Sequence, residues 1–356
     1  MNDGVFRTPL CDLLGIDHPI VQTGMGWVAY APLAAAVSAA GGLGILAAAT
    51  MDIGELAAAI DAVQRVTDRP FGVNLRADAP DASTRIDLMA ARGVRVASFA
   101  QAPKPELIGR AKAAGMVVIP SIGARRHAEK VAEWGADAVI VQGGEGGGHT
   151  GQVPTTLLLP QVVDAVGDRV AVIAAGGFFD GRGLVAALAY GAVGVAMGTR
   201  FLLTAESPVG AAVKDFYLSK SVTDTVVTRQ VDGVPHRVLR TDLVDALERS
   251  GRVASLARAA RNAVAFKRLS GTGWRAFARE GLAMRRSQEL TLSQVVMAAN
   301  TPMLLKAAMV DGRPDLGVMA SGQVVGLIDD IPTCRELLDR IMDDATRTVR
   351  RLRDQV

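Results

Sequence analysis

The sequence predicts an α/β fold, a (βα)8 TIM barrel with an inserted helical substrate-binding domain. Short β-branched runs recur with helical patterns between them, and there are eight of them. Their starts lie roughly 20 to 35 residues apart, the length that a strand, a helix and two loops require in such a barrel. The rhythm stops near residue 200, where the composition turns richer in Arg, Lys and Met.

The eight expected strands, in order, are Pro19–Gln22, Leu43–Leu46, Phe71–Leu75, Val94–Phe99, Met116–Pro120, Ala136–Gln142, Val170–Ala175 and Val193–Met197. Between them, 52–66 places apolar residues at helical spacing behind acidic ones, and 180–190 opens on the capping-type Asp180 before an apolar helix. The stretch 19–51 contains no charged residue and is long enough to span a bilayer, but Pro32, Gly41, Gly42 and Gly44 interrupt it. It reads as strand, loop, small-residue helix and second strand. These elements give a barrel domain over 1–208, a helical substrate domain over 209–311 with patterns at 241–249 and 251–266, and a segment, 312–356, returning to the barrel through a final helix from about Thr333.

Bulk properties narrow the function classes. Thirty-nine basic against 36 acidic residues leave a net charge of +3, which carries no signature of nucleic-acid or membrane partners. Cys11 and Cys334 are the only cysteines and have no zinc-ligand spacing, so neither a disulfide nor a metal site is expected. The N-terminal residues lack an export pattern, and a cytoplasmic location is expected.

The chemistry concentrates in Gly143-Gly144-Glu145-Gly146-Gly147-Gly148-His149-Thr150-Gly151, directly after the sixth strand. Parallel α/β folds place their ligands at the carboxyl ends of strands, so His149 is the candidate proton donor or acceptor. A flat ligand can approach the backbone at Gly147 and Gly148, Gln142 stands at the strand end, and Glu145 is placed to orient the loop. Barrel enzymes often hold phosphate after strands seven and eight. There this chain has Ala175-Gly176-Gly177 and Gly198-Thr199. The first strand ends in Gln22-Thr23-Gly24-Met25, small residues on which a ring can lie, and the third carries Asn74. A phosphate cradle, several amide side chains and flat glycine surfaces together suit FMN. A dinucleotide fingerprint at 181–186 competes, but the acidic residue it requires about twenty positions later is absent. His18, His127 and His236 lack a setting like that of His149 and are read as structural or solvated.

These motifs bring a family into view. The Gln-x-Gly-Met turn, the Phe-Gly-Val-Asn strand, the glycine-histidine loop, the Ala-Ala-Gly-Gly turn and the Met-Gly-Thr-Arg-Phe segment stand in the order seen in the nitronate monooxygenase (2-nitropropane dioxygenase-like) flavoproteins, which this chain resembles across all eight strands. The resemblance implies FMN in a TIM barrel with the active-site acid or base at His149, and a Gly322-Gln323 loop against the flavin. Over 226–240, 297–306 and 320–330 the chain is similar to flavin reductases of actinobacterial steroid catabolism, which implies an acyl-CoA substrate with a fused ring system and NADH as electron donor or acceptor. Gly146 replaces the alanine of the usual Glu-Ala-Gly-Gly-His, and Gln101 stands near the fourth strand where a glycine is usual. Both departures weaken a nitronate as the substrate.

For the CoA portion, Lys267, Arg268, Arg275 and Arg279, interleaved with Trp274 and Phe277, are the candidate contacts with phosphate and adenine. The leading expectation is therefore FMN-dependent hydride transfer on a ring-containing acyl-CoA. The rivals are a nitronate monooxygenase using O2 and a flavin-free barrel lyase or isomerase acting on a phosphorylated substrate. A homo-oligomer is compatible with the sequence.

Overall fold

The computed structural model describes residues 6–249 and 301–355. The chain divides into two compact units, one formed by 1–146, 151–208 and 327–356, the other by 147–150 and 209–326.

The first unit is a closed parallel barrel of eight strands, β1 (Ile20–Gln22), β2 (Leu43–Ala47), β3 (Phe71–Leu75), β4 (Val96–Phe99), β5 (Val117–Ile122), β6 (Ala138–Gln142), β8 (Ala171–Ala175) and β9 (Gly194–Met197). β7 (Gly148–His149) lies between β6 and β8 in sequence but outside the barrel, in the second unit. Closure comes from β9 pairing parallel with β1, Val21 opposite Ala196 and Gln22 opposite Met197. All eight expected strands are present, with ends shifted by a residue or two. Inward residues Val21, Ile45, Val96, Ile119, Ile140 and Ile173 pack into one buried cluster, joined by Leu10, Cys11 and Leu14 of the N-terminal helix Pro9–Leu14. Branched side chains filling such an interior make it a packed core, so chemistry is left to the strand ends.

Local signals explain the outer helices. Asp52 caps Ile53–Gln64 in a reciprocal box with Glu55, and the Asp180 side chain accepts from the Gly183 amide at the start of Gly181–Ala189. The uncharged stretch resolves into β1, the helix Ala31–Ala39 and β2. Among the described residues no helix is long and apolar enough to cross a membrane. The last helix, Cys334–Arg353, opens on a second capping box between Thr333 and Glu336 and packs on Gly181–Ala189. Glycine is required at 181 because a Cβ there would meet the Ala345 amide at 2.2 Å. Behind β9, the nearly buried Arg200 pairs with Asp330 at 3.0 Å and donates to the Asp330 and Leu203 carbonyls. Burial pushes the guanidinium's affinity for its proton down, and Asp330 opposes that.

The second unit differs from the helical domain expected over 209–311. It holds helices Ala211–Leu218, Asp242–Arg249 and Thr301–Met309, but also a three-stranded antiparallel sheet in the order β10 (Thr225–Thr228), β11 (His236–Leu239), β7. Val231, Val238, Val244, Leu247, Leu304 and Val318 form its core. The return to the barrel, expected from 312, begins at 327. Before that point the chain runs beside β11, where the Leu239 amide donates to the Met319 carbonyl and Ala320 bridges Val238.

Candidate functional site

At the barrel's carboxyl end the strand termini bring together residues that the sequence places far apart. Thr23 donates its amide to the Met197 carbonyl, which carries the β1 end against the β9 end, and a Cβ at Gly198 would meet Thr23 Oγ1 at 3.2 Å and Met25 Sδ at 3.5 Å. Asn74 is buried and donates from Nδ2 to Ser98 Oγ at 3.1 Å. Gly24 is glycine because the Asn74 side chain packs there: a Cβ at 24 would lie 2.4 Å from the Asn74 Cβ. Gly143 donates its amide to the Ala175 carbonyl, joining the ends of β6 and β8, and Gln142 packs under Gly146. Thr23, Gly24, Met25, Asn74, Gln142, Ala175, Gly176, Gly177, Gly198 and Thr199 thus all belong to the barrel rim.

Gln22 departs from the expected ligand contact. It is fully buried, its Oε1 accepts from the Ile45 amide at 3.1 Å, and its Nε2 donates to the carbonyls of Ile45, at 3.2 Å, and Thr23. With both ends of its amide bound to backbone and the side chain fully buried, it clips β1 to β2 and presents no surface to a ligand.

The rim has features that fit FMN. The amides of Gly176, Gly177 and Gly198, at the ends of the adjacent strands β8 and β9, have no hydrogen-bond partner among the described residues. Converging unpartnered N–H groups of this kind suit a phosphate. Trp27, which sequence reasoning passed over, has a left-handed backbone with φ of 65°, and its Nε1 is buried without a partner among the described residues. A strained residue with an orphan donor two positions after Met25 is a further place for a polar ligand atom. Glu145 anchors the loop, its carboxylate accepting from the Thr155 amide at 2.9 Å and from Thr155 Oγ1 at 2.7 Å.

The catalytic candidate lies in the second unit, where His236, expected to be structural or solvated, is buried beside it. In the antiparallel pairing of β7 with β11, His149 stands directly opposite His236, so the two side chains share a face. Their rings are 4.6 Å apart at a tilt of 51°. Gly148 has φ of 73°, which a glycine adopts without steric cost as the chain enters this strand. The loop 229–235 between β10 and β11 folds Asp232 back onto both rings. Asp232 Oδ2 lies 2.6 Å from His149 Nε2 and 3.5 Å from His236 Nδ1, while Oδ1 accepts from the Val234 amide at 3.2 Å.

The three groups differ sharply in exposure: the His149 side chain is 50% exposed, those of Asp232 and His236 only 5% and 4%. Burial pushes the Asp232 carboxyl up, but the two imidazoles beside it outweigh that and hold it well below the usual carboxylate range. Burial pushes His236 down from 6.5, so it is neutral at pH 7; the Asp232 charge opposes this only in part. Both His236 ring nitrogens lack a hydrogen-bond partner among the described residues. Ligand atoms of the three residues lie within 4.8 Å of one another, a composition a metal could use. The 2.6 Å separation is instead that of a shared proton, since two ligands on a tetrahedral ion at about 2.0–2.1 Å stand roughly 3.3 Å apart.

Gly147, Gly322 and Gln323 also fall in the second unit, where a Cβ at 147 would meet the Gly322 amide at 2.6 Å. Lys267, Arg268, Arg275 and Arg279 lie outside the described residues.

Comparison with known proteins places these features. The sequence model of nitronate monooxygenases matches residues 7–85 and 81–344. The chain is 66% identical over 340 residues to a Mycobacterium tuberculosis protein named (3aS,4S,5R,7aS)-5-hydroxy-7a-methyl-1-oxo-octahydro-1H-indene-4-carboxyl-CoA dehydrogenase, covering 95% of this chain and 96% of that one. A protein of the same name from Rhodococcus jostii is 63% identical, covering 96% and 97%. Among solved structures, FabK of Thermotoga maritima superimposes with a TM-score of 0.80 at 36% identity, covering 98% of this chain and 99% of that one. Nitroalkane oxidase of Streptomyces ansochromogenes gives 0.73 at 26%, covering 96% and 99%.

Proposed function

Because the chain belongs to the nitronate monooxygenase family, whose members are flavin-dependent oxidoreductases, we propose that it is an FMN enzyme exchanging a hydride with a hydroxylated ring of a bicyclic acyl-CoA, with NAD(H) as the other redox partner. The observation that carries the cofactor is the set of unpartnered amides at Gly176, Gly177 and Gly198. The substrate class rests on the two relatives that share about two-thirds of their residues with this chain over nearly its full length. In this reading Gly176, Gly177, Gly198 and Thr199 hold the phosphate, and Thr23, Gly24, Met25, Asn74, Gln142 and Ala175 form the surface for the ring system. Gly147, Gly148, Gly322 and Gln323, in the second unit, are further candidates for cofactor contact.

When bound, FMN supplies the hydride exchange, the part of the chemistry that no side chain can perform. The protein's part is to position the alcohol and manage its proton. As the ring hydroxyl is oxidised, its carbon gives up a hydride and its oxygen a proton; His149 accepts the proton. A half-exposed imidazole held by a buried carboxylate suits that task, because one side of the group is reachable while the other is fixed in place.

Anaerobic titration of the purified protein tests the reading. The 5-hydroxy-indene acyl-CoA named for the relatives is expected to bleach the flavin, and NAD+ to restore its colour. A flavin that responds to an alkyl nitronate and O2, and to neither of these reagents, overturns the assignment in favour of a nitronate monooxygenase. A protein that stays colourless after incubation with FMN removes both.

A further inference from the structure

The chemistry of this site depends on a residue that no motif of the barrel contains. Asp232 stands 83 positions beyond His149 in a different loop, yet its carboxylate is 2.6 Å from His149 Nε2. We propose that Asp232 is a positioning residue that fixes the His149 ring with its Nε2 proton on the carboxylate, so that proton exchange with substrate runs through Nδ1, and that His236 is the neutral wall that keeps this arrangement in place.

Three observations converge on this assignment. The first is direction: a carboxylate accepts and does not donate, so the short Nε2–Oδ2 contact requires the proton to reside on Nε2. The carboxyl is charged throughout the neutral range, because the contacts from the two imidazoles overcome its burial. The second is preorganisation of Asp232 itself. Its other oxygen accepts from the Val234 amide, and the turn around it is closed by the Gly233 amide donating to the Arg229 carbonyl at 2.9 Å. An anion fixed in this way cannot follow the histidine; the histidine must conform to it.

The third is the second imidazole. His236 Nδ1 lies 3.5 Å from the same Oδ2, too far for a strong hydrogen bond, and burial keeps the ring neutral. A charged His236 would compete for the one carboxylate and repel the imidazolium that forms on His149 at 4.6 Å. A neutral one does not compete as a cation, and its ring, 4.6 Å away, braces that of His149. Burying both its nitrogens without partners costs free energy, and a phenyl ring at 236 would avoid that cost. Asp232 faces both rings, and Arg237, on the neighbouring position of β11, donates to Thr225 Oγ1.

This proposal rests on His149 being the proton-handling group, and its test separates the two. In the full-length protein with ring 15N-labelled histidine, the four histidines give four ring systems, assigned by single replacements. Wild-type protein is expected to show His149 with a protonated Nε2, a bare Nδ1, and a strongly downfield, slowly exchanging Nε2–H. In the isosteric D232N variant that resonance is expected to move upfield and broaden. Turnover of the relatives' 5-hydroxy acyl-CoA should fall about 10- to 100-fold, the usual effect of losing a group that orients an active imidazole, with KM little changed.

A His149 proton found on Nδ1, or a D232N protein with the wild-type spectrum and turnover, overturns the proposal. So does a zinc titration that shifts the ring nitrogens of His149 and His236 together at micromolar concentration, which would make the cluster a metal site. The wild-type spectrum needs no variant to fold and no substrate to turn over. If it matches expectation while the acyl-CoA leaves the flavin unchanged, the positioning role stands and only the substrate reading has failed.

Discussion

Gln22 separates a structural role from a ligand-binding one, and Q22L makes the separation measurable. The replacement keeps the side chain's approximate size and removes its amide. Lost with it are three hydrogen bonds, to the Ile45 amide, the Ile45 carbonyl and the Thr23 carbonyl, all in a fully buried setting. Each is worth about 1 kcal/mol net, and the Ile45 amide stranded in the barrel wall adds a desolvation cost of similar size, so a loss of about 4 kcal/mol is expected. For a domain of this size about 2–4 °C accompanies each kcal/mol, which puts the fall in melting temperature at about 8–16 °C. Differential scanning fluorimetry of the flavin-free protein reads this directly, and fluorescence titration with FMN reads the cofactor. Affinity measured well below the melting transition should stay within about threefold of wild type. An unchanged melting temperature with FMN binding weakened tenfold or more would refute the reasoning and restore Gln22 to the flavin site.

Other perturbations follow from the same geometry. D330A leaves the buried Arg200 guanidinium without its carboxylate; complete burial would make this cost about 3–5 kcal/mol, but Asp330 is 38% exposed, which lowers the expectation to about 2 kcal/mol by urea denaturation. An unchanged urea midpoint would show that the backbone carbonyls alone hold Arg200. G148A forces alanine into φ of 73° and should cost about 1–2 kcal/mol in thermal stability and slow turnover by moving His149. Stability should also respond to acid through His236. Its folded value is depressed below 6.5, so the unfolded chain binds the proton more readily; this stability is complete above about pH 6.5 and is lost as pH falls below it. H236F removes that contribution, and urea midpoints between pH 7.5 and 5 should then fall less steeply than in wild type, where equal slopes would show that His236 is not buried neutral. H149A should retain FMN and lose about 10²–10⁴ in substrate turnover, and full activity would remove the imidazole from the mechanism.

How much of this was legible in the chain depends on the range of the signal. The barrel strands were, because each is a contiguous β-branched run and its burial on both faces leaves a continuous apolar record. The cap at Asp180 was legible for the same reason, its partner lying three residues away, and the helices that Asp52 and Thr333 cap begin where the sequence pattern starts them. Gln22 was misread because its side chain is polar and stands at a strand end, features that a backbone clip and a ligand contact share. The place of His236 beside His149 was not legible, because nothing within its own neighbourhood marks it; that place comes from a register that sets it opposite a residue 87 positions earlier. A weaker signal did exist. Asp232-Gly233 lies between Val226-Val227 and Val238-Leu239, the pattern of two strands around a turn, inside a stretch that its Arg and Lys content made look helical.

That hairpin changes what the glycine-rich loop is. By composition the loop has wide conformational freedom, yet its two halves are held by different means. Glu145, still in the barrel, accepts from the amide and the hydroxyl of Thr155, and four residues later His149 is a strand residue whose partner is chosen by β11. The glycines allow the backbone to pass from one anchorage to the next, and the function of the histidine is set by the second. Sequence changes in the 229–236 loop, which touch no barrel motif, are therefore expected to alter proton transfer while leaving cofactor binding intact. A panel of substitutions at Val234 and Pro235, with FMN affinity and turnover measured in parallel, checks this: the two should vary independently. If every variant that loses turnover loses FMN in proportion, the hairpin acts on the flavin site as a whole and not through the Asp232–His149 pair.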